Sequence, residues 1–370
     1  MECKHFGVCG SCKIYEDGYS AQLEEKVTRT KKLFSKFTNI EGNLFSSPES
    51  AFRFRSEFKI FHDKNGIHYA MYDKYKKLFN IDECKIVNED IQNLFEPLLQ
   101  SIKSLEISHK LFSVEFLSTT TKEMIITLIY HKKLDELWQE KAKILCEELN
   151  INAVIGRSRK QKVVIGSDRV IEMFEIDEKE YRFIYIENSF TQPNPYTNQA
   201  MLQWVNDQSI NSKSDLLELY CGAGNFTLVL SKNFNRVLAT EISKPSIAAA
   251  RENCTLNGVN NIEFIRMSSE DFVKASNKER EFNRLRDIDL DSYNFDTIFV
   301  DPPRSGLDDT TRKLSSEFEN ILYISCNPET LARDVEYLSN THEIISMAFF
   351  DQFAYTPHLE MGLKLRKISL

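Results

Sequence analysis

Leu216-Leu217-Glu218-Leu219-Tyr220-Cys221-Gly222-Ala223-Gly224-Asn225 is the stretch that decides the fold. An apolar run of strand length breaks into a glycine turn, and Asn225-Phe226-Thr227 then opens a helix. Glycine lets a backbone turn tightly and lets a ligand approach closely. Two later runs end as abruptly, one at Asp301-Pro302-Pro303-Arg304 and one at Ser325-Cys326-Asn327-Pro328. Open α/β sheets bind ligands outside the carboxyl ends of their strands. Three strands therefore deliver a glycine turn, an acid and a thiol to one crevice, which suggests a nucleotide-like cofactor beside a cysteine nucleophile.

A dinucleotide-binding turn carries a further glycine three residues after the second one, and this chain has Thr227 there. Glu241 ends the next strand, Arg236–Thr240, and lies 19 residues past Gly222. An acid at that distance can bind ribose hydroxyls. The pattern fits S-adenosylmethionine better than NAD, so a nicotinamide oxidoreductase is disfavoured. Cys326 follows the apolar run Ile321–Ile324, and a helix is expected to start at Asn327-Pro328. Its N-terminus would favour the thiolate that a reactive cysteine needs. Near the C-terminus, Leu359, Met361 and Leu363 share one face of a strand while His358 and Glu360 share the other. Taken alone, Glu360 is an ordinary solvated acid, and spacing gives no distance from it to Cys326.

The 370 residues suffice for two domains, and a composition of 42% hydrophobic and 28% charged residues is that of a globular protein. A net charge of -8 excludes a strongly basic coat but leaves room for a local RNA-binding patch. No apolar stretch nears the roughly 18 residues that a membrane span needs, and the first twenty residues do not read as a signal peptide. A cytoplasmic location is expected. Eight cysteines spread over such a length do not make a disulfide scaffold, and Cys146 and Cys254 read as packing residues.

Working outward, residues 19–37 carry an imperfect apolar stripe of Leu23, Val27, Leu33, Phe34 and Phe37, which predicts an amphipathic helix. From about 50 to 185 the pattern is that of strands, with helices near 90–104 and 132–149. Within Phe52–Ile60, strict alternation turns Phe52, Phe54, Phe58 and Ile60 inward and Arg53, Arg55 and Lys59 outward. Those cations and the cluster Arg157–Lys162 are either solvated or placed for phosphates. Ser189–Pro195 is a turn-rich joint with two prolines, followed by a short helix over Thr197–Asn206 and then a strand–helix rhythm to the end.

Tyr130–Asp135, Glu187–Asn194, Leu217–Gly222, Glu281–Leu285, Asp301–Asp308, Ser325–Leu331 and Phe350–Glu360 together carry a resemblance over almost the whole chain. The chain resembles the bacterial tRNA (uracil-5-)-methyltransferase branch of the RNA uracil-C5 methyltransferase family. The resemblance implies an α/β fold with two parts. Residues 186–370 would form a Rossmann-like S-adenosylmethionine-dependent methyltransferase domain, and residues 1–185 an α+β RNA-binding domain with a cysteine-rich tail over 1–15. Carried over residue by residue, it puts cofactor contacts at Gln192, Tyr220, Asn225, Glu241 and Asp301. It puts the nucleophile at Cys326 and the proton-abstracting base at Glu360. The implied substrate is the uridine at position 54 of the tRNA T-loop, with the related loop of transfer-messenger RNA as a second target. No membrane and no obligate protein partner are implied.

Cys3, Cys9 and Cys12 are spaced C-x5-C-x2-C, with Cys84 as a fourth candidate. Four thiolates suit an iron–sulfur cluster or zinc. The spacing resembles the cluster-binding pattern of the family's ribosomal-RNA branch, so a [4Fe–4S] cluster is expected, with zinc or no metal as alternatives. Ribosomal RNA is accordingly the rival substrate, although the small N-terminal barrel often seen in that branch is missing here. An RNA-folding assistant with secondary methylation is the rival of another class.

Overall fold

The structure is a computed structural model and describes residues 1–210 and 212–369. The first half runs α1 (Gly18–Phe34), β1 (Asn43–Phe45), β2 (Arg55–Asp63), β3 (Gly66–Tyr72), β4 (Leu78–Ile81), α2 (Glu89–Ser104), β5 (Leu111–Ser118), β6 (Met124–Tyr130), α3 (Glu136–Glu148), β7 (Ala153–Ser158) and β8 (Gln161–Gly166). A two-stranded ribbon follows, β9 (Arg169–Ile176) and β10 (Lys179–Ile186). Then come α4 (Pro195–Ser209), β11 (Asp215–Leu219), α5 (Asn225–Leu230), β12 (Val237–Glu241), α6 (Lys244–Asn257), β13 (Ile262–Arg266) and α7 (Ser269–Ser276). The chain closes with β14 (Phe295–Val300), α8 (Asp309–Ser315), β15 (Asn320–Ser325), α9 (Pro328–Leu338), β16 (His342–Phe350) and β17 (Glu360–Lys367).

The second half forms an eight-stranded sheet in the order β1-β16-β17-β15-β14-β11-β12-β13. Strands β11 to β15 run parallel, and β17 inserts antiparallel between β15 and β16. Successive strands move outward from β11 through β12 to β13, and the chain then returns to the other side of β11 as β14. That reversal makes a crevice at the strand ends, where ligands bind in such sheets. Side chains of α4, α5 and α6 cover one face, and those of α1, α7, α8 and α9 the other. The strands are covered on both faces, which is why they read as unbroken apolar runs.

The other sheet has seven strands in the order β4-β3-β2-β5-β6-β7-β8, and α2 and α3 pack on it. The expected alternation holds for its apolar members: Phe52, Phe54, Phe58 and Ile60 are buried. The cations differ from expectation. Arg53 is half-buried, and burial lowers its pKa. Arg55 donates to the carbonyl of Ser189 in the joint. Arg157 makes a two-pronged bond to Glu187, both contacts 2.6 Å, so much of that cluster is already paired. The joint's sequence holds the reason, since Glu187 and Ser189 supply acceptors that a charge count of the cluster alone does not show.

Helix α1 and strand β1 lie on the eight-stranded sheet, although they precede the first domain's strands. β1 pairs parallel with β16, at Asn43↔Ala348, Leu44↔Phe349 and Phe45↔Phe350. Lys26 of α1, 0% exposed, donates to Asp351 at 2.5 Å and to the carbonyls of Phe353 and His358. A buried charge persists only when paired and hydrogen-bonded, and these bonds hold α1 to the loop before β17.

Candidate active site

The glycine turn lies where the sequence places it, between β11 and α5. Gly222 and Gly224 have φ of 56° and 83°, the left-handed region that glycine adopts without strain. Tyr220 shares that region with φ 64°. Glu241, at the end of β12, accepts from the N–H of Gly222 at 3.1 Å and of Ser243 at 2.7 Å. Asn225 exchanges two amide bonds with Asn198 of α4, of 3.0 and 2.9 Å. Tyr220 shares a 2.7 Å hydrogen bond with Ser269. These side chains line one cavity of about 530 Å³ together with Gln192 and Asp301. A volume of that order suits a small cofactor. The structure thus brings all five cofactor candidates to one cavity.

Cys326 and Glu360 meet through the sheet. β15 pairs with β17 up to Ser325↔Met361, so one step further along that register sets Cys326 opposite Glu360. Glu360 is 3% exposed, and its Oε2 bonds to nothing among the described residues. Burial, with Asp301 adding to it, pushes the Glu360 carboxyl up to about 8, against the pull of Arg304. Asp301 is likewise pushed up to about 7 by burial. The Cys326 thiol is pushed up to about 11, by burial first and then by Glu360 and Asp301, while Arg304 lowers it. The expected helix does begin at Pro328, capped by Asn327. Burial and two neighbouring carboxyls raise the thiol, so it holds its proton at neutral pH. Asp301 faces both the cavity and the reactive pair and joins the two halves of the site.

Two residues near the site, Arg304 and Gln352, and one on the seven-stranded sheet, Phe112, are not marked by spacing. Arg304, which the sequence marks only as part of a motif, is the cation beside the thiol. Its carbonyl accepts from Asn327 Nδ2 at 3.0 Å and Thr330 Oγ1 at 3.1 Å, which fixes the loop against α9. Gln352, fully buried, donates to Gln192 Oε1 at 2.8 Å. On the seven-stranded sheet, Phe112 is 38% exposed, stacks on His131 at 4.4 Å, and carries Lys59 over its ring. An aromatic at an outward strand position was the signal available for Phe112.

Among the described residues, no three His, Cys, Asp or Glu side chains stand close enough together, as placed, to hold a metal ion. Cys3, Cys9, Cys12 and Cys84 nonetheless line one cavity, and all four are free thiols. Burial pushes the Cys12 thiol up, and Cys84, Cys9 and Cys3 facing it push it further. Four sulfurs facing one small space fit a soft metal or cluster in donor type.

Comparison with known proteins bears on the whole chain. Residues 18–368 match the family model described as tRNA (Uracil-5-)-methyltransferase. A protein of Aliarcobacter butzleri named tRNA/tmRNA (uracil-C(5))-methyltransferase is 53% identical, over 100% of both chains. One of Sulfurimonas denitrificans with the same name is 51% identical, over 99% of this chain and 100% of its own. The crystal structure of Pyrococcus abyssi tRNA (uracil-54, C5)-methyltransferase with S-adenosyl-L-homocysteine superposes with a TM-score of 0.73 at 25% identity, covering 94% of this chain and 83% of that one. With the glycine turn, the strand-end acids and the cysteine arranged as described, the chain belongs to the tRNA (uracil-5-)-methyltransferase family.

Proposed function

We propose that this protein methylates C5 of the uridine at position 54 in the tRNA T-loop, and the corresponding uridine of transfer-messenger RNA. The observation that carries the reading is the register of β15 on β17, which sets Cys326 against Glu360 beside the cavity that Asp301 shares. Uracil C5 is a weak nucleophile. Addition of the Cys326 sulfur to C6 turns the ring into an enolate whose C5 can attack a methyl group, a case of covalent catalysis. S-adenosylmethionine, when bound, supplies that methyl. Gln192, Tyr220, Asn225, Glu241 and Asp301 hold it, and Arg304 offsets the negative charge of the sulfur before addition. The thiol proton is lost to solvent as the sulfur adds; ionised Glu360 then takes the C5 proton, and elimination breaks the C6–S bond to return Cys326 as the thiolate. With its carboxyl pushed up to about 8, Glu360 is mostly protonated at neutral pH in the free protein and acts as the base in its ionised form.

The uridine has to leave its stack to reach Cys326. Phe112 on His131, with Lys59 above, offers a stacking surface and a charge for unpaired RNA. We assign RNA binding to residues 1–185 and chemistry to residues 186–370, with α1 and β1 lent to the catalytic sheet. The four N-terminal thiols are assigned to a structural [4Fe–4S] cluster, with Cys3, Cys9, Cys12 and Cys84 as its ligands.

The test uses purified full-length protein with labelled S-adenosylmethionine and three RNAs: a tRNA transcript, transfer-messenger RNA and ribosomal RNA. Nucleoside mass spectrometry should find 5-methyluridine in the first two. C326A should lose at least about 10³-fold in turnover, and E360Q should accumulate an RNA–protein adduct that survives denaturing gels. Normal turnover by C326A, or label in ribosomal RNA alone, overturns the reading.

A further inference from the structure

The loop between β16 and β17, residues 351–359, leads directly to Glu360, and cations collect along it. Lys13 and Ile14 of the cysteine tail donate their backbone N–H groups to the carbonyl of Tyr355 at 2.8 and 3.1 Å, which sets Lys13 beside the loop. Arg29, three residues past Lys26 in α1, donates through Nη2 to the carbonyl of Pro357 at 2.6 Å. His358 comes next, two residues before Glu360. Arg304, from the segment after β14, faces both Cys326 and His358. Burial lowers the pKa of the His358 imidazole, and Arg304, Lys13 and Lys26 lower it further against the pull of Glu329, so these cations share one neighbourhood.

Asp351 neutralises Lys26. The other three cations have no such partner. Lys13, Arg29 and Arg304 are exposed, and none of them pairs with a carboxylate among the described residues. A guanidinium carries five N–H donors, and Pro357 takes one of those of Arg29, so the rest can reach a ligand. Like charges gathered at one place repel each other, and a cleft lined by one sign of charge concentrates ions of the other. In a chain of net charge -8, open cations at the mouth of one site therefore call for an anion. Three residues of extended chain span at most about 11 Å, so the Arg29 bond to Pro357 sits close to the base that Glu360 meets.

We propose that Lys13, Arg29 and His358 bind the phosphates on either side of the target uridine, while Arg304 stays with the thiol. This inference rests on the RNA methylation proposed above. Phosphate contacts position a nucleic acid without reading its sequence. A nucleotide drawn out of its stack has lost the contacts that oriented it, and a hold on its backbone keeps the base over Cys326. The catalytic domain then shares in holding the RNA, through His358, with the residues before 185. Lys13 also gives the cysteine tail a part in substrate binding, beyond fastening itself to the first sheet.

The experiment measures the affinity of the full-length protein for a fluorescein-labelled T-arm stem–loop by anisotropy, from roughly 50 to 200 mM salt. Each phosphate contact adds about 0.7–0.9 to the slope with which log K falls against log salt. K13Q and R29Q should each flatten the slope by about that amount, and the double variant by about twice as much. R29K keeps the charge and should keep the wild-type slope, which separates phosphate binding from support of the loop. Equilibrium dialysis with S-adenosylhomocysteine should give wild-type affinity for K13Q. Neutral methylphosphonate linkages on both sides of the target uridine should weaken wild-type binding by about tenfold or more and weaken the double variant far less. A K13Q slope equal to that of the wild type overturns the proposal. So does an R29K slope as flat as that of R29Q, a K13Q protein that loses cofactor affinity as well, or a wild-type protein indifferent to the neutral linkages. A wild-type protein that binds the T-arm no more tightly than an unrelated stem–loop would overturn the underlying function instead, so the two failures are distinct.

Discussion

At the scale of single residues, the site gathers three acids, Glu360 buried and Asp301 and Cys326 half-buried. Asp301 is raised to about 7, Glu360 to about 8 and Cys326 to about 11, each by burial before any neighbour. Cys326 and Glu360 therefore tend to hold their protons near neutral pH in the free protein, while Asp301 is divided between its two forms. A cation placed among them favours the charged forms. The sulfonium of S-adenosylmethionine is such a cation, whereas the sulfur of S-adenosylhomocysteine is neutral. Binding of the methyl donor should release protons, and by linkage its affinity should rise with pH through the window of about 7 to about 8 set by Asp301 and Glu360. Affinity for the product should stay flatter. Calorimetry in two buffers of different ionisation enthalpy checks this, and identical pH profiles for the two ligands would refute it. The identity of these residues was legible because strand ends mark the crevice. Their protonation was not, since it depends on a sheet order that sets β17 beside β15 and brings Glu360 to Cys326 from far along the chain.

At the scale of elements, α1 shows where local pattern stops being informative. Leu23, Val27 and Phe34 are buried as the apolar stripe predicts, while the helix ends at Phe34 and Phe37 packs beyond it. The residue that fixes the helix is Lys26, which spacing puts on the buried face three residues after Leu23 but whose charge reads as solvated. Its partner Asp351 lies 325 residues away, beyond any local signal. The same limit hid β1, whose three residues gain meaning only beside β16. By contrast α2 and α3 fall close to the expected ranges, because apolar spacing and the caps Asn88 and Asp135 are written locally. Lys26→Met should destabilise the protein by about 3–5 kcal/mol, since it leaves Asp351 buried without its cation. K26M combined with D351L should recover most of that loss. Urea denaturation of the three variants checks it, and a double variant as unstable as the sum of the singles would contradict it.

At the scale of the whole molecule, the cysteine tail spans the two sheets. Gly10 donates to the carbonyl of Tyr72 at the end of β3, and Lys13 and Ile14 donate to that of Tyr355 in the loop before β17. A cluster held by Cys3, Cys9, Cys12 and Cys84 would fasten that span. Protein purified without oxygen should contain about four iron atoms and matching sulfide per chain, and C12S should lose both along with thermal stability. A single zinc, or no metal with stability unchanged, would remove the assignment. The spacing of the cysteines was plain in the sequence, but their common cavity required Cys84 to arrive from between β4 and α2. Finally, consider the order in which a ribosome releases this chain. α1 and β1 emerge first, yet Lys26 must wait for Asp351 and Asn43–Phe45 for Ala348–Phe350. The seven-stranded sheet, whose strands all emerge before residue 170, can assemble during translation. The opening helix instead waits for Asp351, and β1 for β16, so closure of the catalytic sheet depends on contacts of far longer range than those of the seven-stranded sheet.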